Sequence, residues 1–340
     1  MFGYFRFFLA SLVIYSHTTT AYFLGKIPFD FGKMAVFGFY ILAGLVSAKL
    51  ISNIFFYDKK KYLKDRFLRI YPMAIFWQII GMIVLLYFFN QKIEINFLKL
   101  LYHIALIPLD YSGFLDVSIL KNEPLWSNFV FAPYFSLGVE LQAYMLFALF
   151  LCLNSKKILH ILGTISFVLY CLSSLLNFQN TFFQMQLNYI LLPSVFWLFY
   201  LGYLIYIKNN KILLIYYLLT IVLIILELLN NSFYGAQPFC SIAILFCIPI
   251  IYFLNLNNEK KRKFNNFFGS MSFIIYCNHY LFILILQENK IGYDFWAIFF
   301  MAFLSGLITY YLIEKPLDRF RKNKIKVSLK EIYKELIDRI

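Results

Sequence analysis

The sequence predicts an all-α, polytopic membrane protein: a bundle of about ten transmembrane helices with both termini in the cytoplasm. Three observations lead there. The chain of 340 residues is 62% hydrophobic and only 14% charged, with a mean hydropathy of +0.72. A soluble domain carries about 45–50% apolar residues, so the excess must face lipid. Apolar segments of bilayer-spanning length can be marked at 4–24, 34–56, 67–89, 133–153, 158–176, 187–207, 212–229, 236–254, 267–287 and 294–313. Finally, basic residues alternate between the connections. Loops 57–66, 154–157, 208–211 and 257–266 hold Lys59, Lys60, Lys61, Lys64, Arg66, Lys156, Lys157, Lys208, Lys211, Lys260, Lys261, Arg262 and Lys263. The tail from Lys315 to Arg339 adds more, while the other loops hold only Lys26, Lys33, Lys92, Lys99, Lys121 and Lys290. The positive-inside rule makes the first set cytoplasmic.

The same placement disposes of a nucleic-acid partner. The net charge of +14 would attract polyanions, but the charge is dispersed between apolar segments. Cys152, Cys171, Cys240, Cys247 and Cys277 all lie inside apolar stretches without a C-x-x-C spacing. They read as small buried hydrophobes, and no metal is expected.

The first segment contains Arg6 and His17, eleven residues apart. Eleven steps of 100° overshoot three turns by about 20°, so both side chains share one helix face, roughly 16 Å apart. A charged and a titratable group on one stripe of a membrane helix mark a polar pathway. Alone, Arg6 reads as a snorkelling anchor. His17 reads either as a proton-transfer group or as a polar residue satisfied by a neighbouring helix. With no basic region before its apolar run and no clean A-x-A site, the segment reads as a retained helix rather than a cleaved signal.

In the second segment, Lys49 sits towards an end and reads as structural. Arg66-x-x-Arg69 opens the third, followed by Tyr71-Pro72. Two guanidiniums at i and i+3 share a side; they serve either as topology anchors or as a clamp for a polyphosphate. The loop 90–132, with Glu94, Asp110, Asp116 and Glu123, reads as external and partly helical. The fourth segment carries Ser136-Leu-Gly-Val-Glu140-Leu-Gln142-Ala-Tyr144. A carboxylate there must be protonated or bonded to a cation. Glu227 reads as structural, as do the incidental His103 and His160. The ninth segment holds Ser272, Tyr276 and His279. Glu314-Lys315-Pro316 closes the tenth, where proline reads as a helix stop. Beyond it, 315–340 reads as a basic cytoplasmic tail. There Ser328-Leu-Lys-Glu331 resembles a capping box, and Leu329, Ile332, Leu336, Ile337 and Ile340 form the stripe of a short surface helix.

Taken in order, these stretches resemble the acyltransferase type 3 family, the polytopic bacterial O-acyltransferases of cell-envelope glycans. Arg6 to His17 matches its Arg-x10-His signature. Ala35 to Gly44 looks like Gly-Val-x-x-Phe-Phe-x-Leu-Ser-Gly, with Ala43 in place of Ser. Arg66-Phe-Leu-Arg69-Ile-Tyr-Pro72 is similar to Arg-x-x-Arg-Ile-x-Pro. Ser136 to Tyr144 matches Trp-Ser-Leu-x-Val-Glu-x-Gln-x-Tyr, with Phe135 where Trp is usual. Tyr276-x-x-His279 and Glu314-Lys315-Pro316 match the last motifs. The departures at Ala43 and Phe135 fall on packing residues. The resemblance covers nearly the whole chain and implies a stand-alone member, without the extracytoplasmic esterase-like domain some members add.

The resemblance implies a bacterial inner-membrane O-acetyltransferase that moves acetyl from cytoplasmic acetyl-CoA to a sugar hydroxyl of an envelope polysaccharide or lipid-linked glycan. On that expectation residues 1–314 are the transmembrane catalytic domain. Arg66 and Arg69 hold the CoA phosphates, and Arg6 guides the pantetheine arm or thioester. His17 deprotonates the acceptor or takes the acyl group transiently, and Glu140 orients His17 or a cationic partner. Tyr144, Tyr276, His279 and Glu314 supply a polar network around substrate. Composition alone fits equally a transporter or flippase for a lipid-linked sugar or small amphiphile. A purely structural scaffold leaves the aligned Arg6 and His17 without a reason.

Overall fold

The computed structural model describes residues 2–19, 21–23, 27–55, 58–89, 96–112, 114–119, 132–153, 155–176, 186–229, 237–256 and 262–323. Apart from one short hairpin and the connecting stretches, among them 114–119 and 289–294, these residues are helical. The helices are α1 (Phe2–Thr18), α2 (Phe31–Asn53), α3 (Lys59–Phe89), α4 (Phe97–Ala105), α5 (Phe135–Cys152), α6 (Lys156–Leu175), α7 (Leu192–Tyr206), α8 (Asn210–Leu229), α9 (Gln237–Leu256), α10 (Arg262–Glu288) and α11 (Phe295–Thr309). Among the described residues, six helical stretches are long and apolar enough to cross a membrane: Phe31–Asn53, Lys59–Phe88, Lys156–Leu175, Asn210–Leu229, Lys263–Glu288 and Phe295–Asn323. Phe135–Leu151, Leu192–Tyr206 and Ser241–Leu256 are shorter apolar helices. Glu94, Glu123 and the helix expected at 328–340 lie outside the described residues.

Helix starts follow local chemistry. Asp30 caps α2 by accepting from the Lys33 amide at 3.0 Å, Asn96 caps α4 at Lys99, and Asp294 caps α11 at Ala297. The interior is organised around α2, whose apolar window is 72% buried, against 33% for α8. Glycine sets its closeness to α7: a Cβ on Gly44 would lie 1.9 Å from the Phe199 carbonyl oxygen, and one on Gly202 would lie 2.0 Å from that of Ile41. Small residues that let backbones touch are the usual glue of membrane helices. On the periphery, Ile161, Ile165 and Leu172 of α6 and Leu214, Leu218 and Val222 of α8 remain exposed. These apolar faces suit lipid, which also solvates the rest of the belt.

Two expectations are corrected. The first apolar segment is not one helix over 4–24. α1 stops at Thr18, and Ala21–Phe23 pairs antiparallel with Ile27–Phe29 in the register Ala21↔Phe29. The sequence there runs Thr18-Thr19-Thr20-Ala-Tyr-Phe, and β-branched and aromatic residues favour extended backbone. The second correction concerns Pro316. The helix does not stop there but continues to Asn323. It first widens into a π turn at Tyr310–Glu314, with the Lys315 amide bonded to the Tyr310 carbonyl. That extra residue absorbs the hydrogen bond proline cannot make.

Candidate active site

α1 packs along α10, and the two helices carry Arg6, His17, Tyr276 and His279 of the predicted polar residues. Near the start of α1, Gly3 donates its amide to the Asn265 side chain at 2.8 Å. A Cβ on Gly3 would meet the Asn265 carbonyl oxygen at 1.7 Å, so the helices touch there. This contact sets the register of the pair. One turn on, Arg6 enters an internal chamber. Three turns further, His17 meets His279 with ring centroids 5.4 Å apart.

The chamber is a cavity of about 80 Å³, room for a few water molecules. Its polar wall comprises Arg6, Arg66, Arg69, Glu140, Tyr144 and Tyr276, with Ser136 and Ser272. Val36, Phe39, Ala43, Leu137 and Phe273 supply an apolar wall. Three guanidiniums therefore converge where hydropathy alone would have placed a continuous apolar core. Each is held differently. Arg66 pairs with Asp65, whose other oxygen accepts from Arg321 Nε at 3.0 Å. The Arg66 guanidinium also lies 5.6 Å over the Tyr144 ring. Arg69 pairs with Glu314, donates to the Gly269 carbonyl at 3.3 Å and covers Phe273. Glu314 is 1% exposed and also accepts from Ser270 at 3.2 Å. Arg6 forms no ion pair among the described residues. Glu140 accepts from the Tyr144 hydroxyl, and Arg6, Arg66 and Arg69 all act on it electrostatically. The carboxylate predicted to orient either His17 or a cation is thus placed with the cations.

At the other end of α1, His17 is exposed while His279 behind it is fully buried. His279 Nδ1 lies 3.0 Å from the carbonyl oxygens of both Ile275 and Tyr276. Two acceptors on Nδ1 assign the hydrogen there and leave Nε2 with its lone pair. Nε2 has no hydrogen-bond partner among the described residues. Tyr280 completes the aromatic setting, 5.7 Å from His17. The carboxylate that acts on His17 is Asp30, the cap of α2. It is held by Ser16 Oγ at 2.9 Å and by Lys33.

Sequence reasoning missed Asp30, Asp65 and Arg321. Asp30 carried a signal, an acidic residue directly before an apolar run. Asp65 was the acidic neighbour of Arg66. Arg321 carried none, because it pairs across 256 positions. The residues judged incidental or structural find their contacts away from this site. His103 bonds to the Val117 carbonyl at 3.0 Å, His160 to the Tyr200 hydroxyl at 2.6 Å, and Glu227 accepts from Ser241 at 3.4 Å.

Comparison with known proteins falls on the same elements. Residues 2–315 match the family model described as an acyltransferase domain, the acyltransferase type 3 model. An uncharacterized protein of Aquifex aeolicus (strain VF5) is 30% identical over 221 residues, which cover 61% of this chain and 96% of that protein. No solved structure matches the chain.

Proposed function

Because the chain belongs to the acyltransferase type 3 family, we propose that it transfers acetyl from cytoplasmic acetyl-CoA to a sugar hydroxyl of an envelope polysaccharide or lipid-linked glycan. In this reading it crosses the bacterial cytoplasmic membrane ten times, with both termini and the basic 315–340 tail inside. One observation carries the reading. A single helix, α1, delivers Arg6 to a chamber walled by three guanidiniums and His17 to an exposed position roughly 16 Å further along.

Arg66 and Arg69 stand at the cytoplasmic side of the chamber and hold the CoA phosphates, which guanidiniums match in charge and geometry. Arg6, the guanidinium without an ion pair among the described residues, steers the thioester arm. The acceptor hydroxyl approaches His17 from the exposed side. His17 takes the hydroxyl proton as the oxygen attacks the thioester carbon. The carbon–sulfur bond then breaks, and the proton passes to the departing thiolate. Glu140, held among the arginines by Tyr144, keeps the chamber from repelling its own cations.

Base-labile acetyl groups on the envelope glycans of a deletion strain test the reading by mass spectrometry. Restoration of acetyl by the wild-type chain is the expected result, and it identifies the glycan. No acetyl difference in any glycan would sink the acetyltransferase reading in favour of another acyl group or of lipid-linked sugar transport. Arg66→Ala tests the donor side. Losing a charge-assisted contact to phosphate should raise the Kd for acetyl-CoA about tenfold or more. Asp65 keeps Arg321 as its partner, so the fold should survive. An unchanged Kd would remove Arg66 from the donor site.

A further inference from the structure

Neither His17 nor His279 lines the chamber that holds Arg6, although His17 and Arg6 share one helix face. What stands between them is Tyr276. It lines the chamber and sits one turn before His279 on α10, its ring 6.1 Å from the His279 ring. Its hydroxyl is fixed twice. It donates to the Pro133 carbonyl at 2.7 Å and lies 2.5 Å from Ser136 Oγ. Ser136 in turn reaches the same carbonyl at 3.0 Å. Phe39 braces the ring edge-on at 6.0 Å. Pro133 and Ser136 belong to the turn that starts α5, and Tyr134 beside them donates to the Cys277 carbonyl at 3.1 Å. The start of α5 is therefore packed at the level of Tyr276 and Cys277. α10 continues from there to Glu288.

Resting on the function proposed above, we infer that Tyr276 and Ser136 form a partition between the donor chamber and the histidine pair, and that acyl transfer requires the Tyr276 ring to swing out of its two hydrogen bonds. Both residues are buried, at 6% and 5% exposure, so the closed position keeps water on the histidine side from entering the chamber. Water there would hydrolyse a thioester before a sugar hydroxyl could reach it. A ring held by two hydroxyl contacts is suited to such a task. Each bond stabilises the closed position only modestly, so thermal motion can open it on the timescale of turnover.

The test needs no acyl transfer, so its failure and that of the functional reading are separable. Ala43 is 4% exposed and lines the chamber. Ala43→Cys is introduced alone and together with Tyr276→Phe or Ser136→Ala. A small membrane-impermeant methanethiosulfonate is then added from either side of sealed vesicles, with the chain lacking the Ala43 change as background. From the cytoplasmic side all variants should react at the same rate, which also reports an intact fold. From the outer side the reaction should be slow with the partition intact. It should be about tenfold faster once one or both hydroxyl contacts are lost. Equal outer-side rates with and without the Tyr276 hydroxyl would overturn the inference. Reaction from neither side would also overturn it, since the chamber would then be no passage.

Discussion

His17→Ala should leave the protein folded and reduce acyl transfer by a factor on the order of 10²–10⁴, the contribution of a positioned general base. The two halves of this expectation have separate grounds. Stability is spared because His17 is exposed, forms no hydrogen bond among the described residues and meets His279 and Tyr280 ring to ring. Activity is lost because neither neighbour can take over. His279 is fully buried, so the acceptor hydroxyl does not reach its Nε2. Asp30 is already bonded to Ser16 and Lys33. The Kd for acetyl-CoA should stay unchanged, since the guanidiniums lie at the far end of α1. Transfer measured with purified, reconstituted protein, alongside thermal unfolding and acetyl-CoA binding, checks all three. Wild-type transfer in a folded His17→Ala protein would remove His17 from the chemistry. A variant that fails to fold would instead give His17 a structural role.

Long apolar runs made the helical membrane fold legible, because hydropathy is summed over many residues. The 3.6-residue period was enough to put Arg6 and His17 on one face of α1. Local features that oppose the average were harder to read. The apolar run through Leu24 hid the end of α1 at Thr18, where three successive threonines favour extended backbone. Pro316 reads as a stop by local rules, yet a π turn lets the helix pass it. Partners in the site were the least legible. Arg69 and Glu314 were both candidates, but 245 positions separate them and no local pattern joins them. For the same reason Glu140 was left between His17 and a cation. The choice depends on α5 starting beside the middle of α10, which rests on the Tyr134 and Tyr276 bonds rather than on any periodicity.

Arg69→Ala should be the most damaging change to stability among the chamber residues, by about 3–5 kcal/mol, the usual result of stranding one partner of a buried ion pair. Glu314 is 1% exposed. Without Arg69 it keeps, among the described residues, the Ser270 hydroxyl at 3.2 Å, which cannot offset the desolvation of a carboxylate. Arg66 differs because Asp65 is shared with Arg321, so removing one guanidinium leaves the other. The comparison predicts an order: Arg69→Ala unfolds at a clearly lower temperature than Arg66→Ala in the same detergent. It also predicts a rescue. Glu314→Gln removes the stranded charge while keeping a similar shape, so Arg69→Ala combined with Glu314→Gln should be more stable than Arg69→Ala alone. A double-mutant cycle on unfolding midpoints measures that coupling. Strictly additive effects would show that the pair does not hold α3 to the end of α11. The π turn at Tyr310–Glu314 would then be a packing adjustment rather than the feature that carries Glu314 to its arginine.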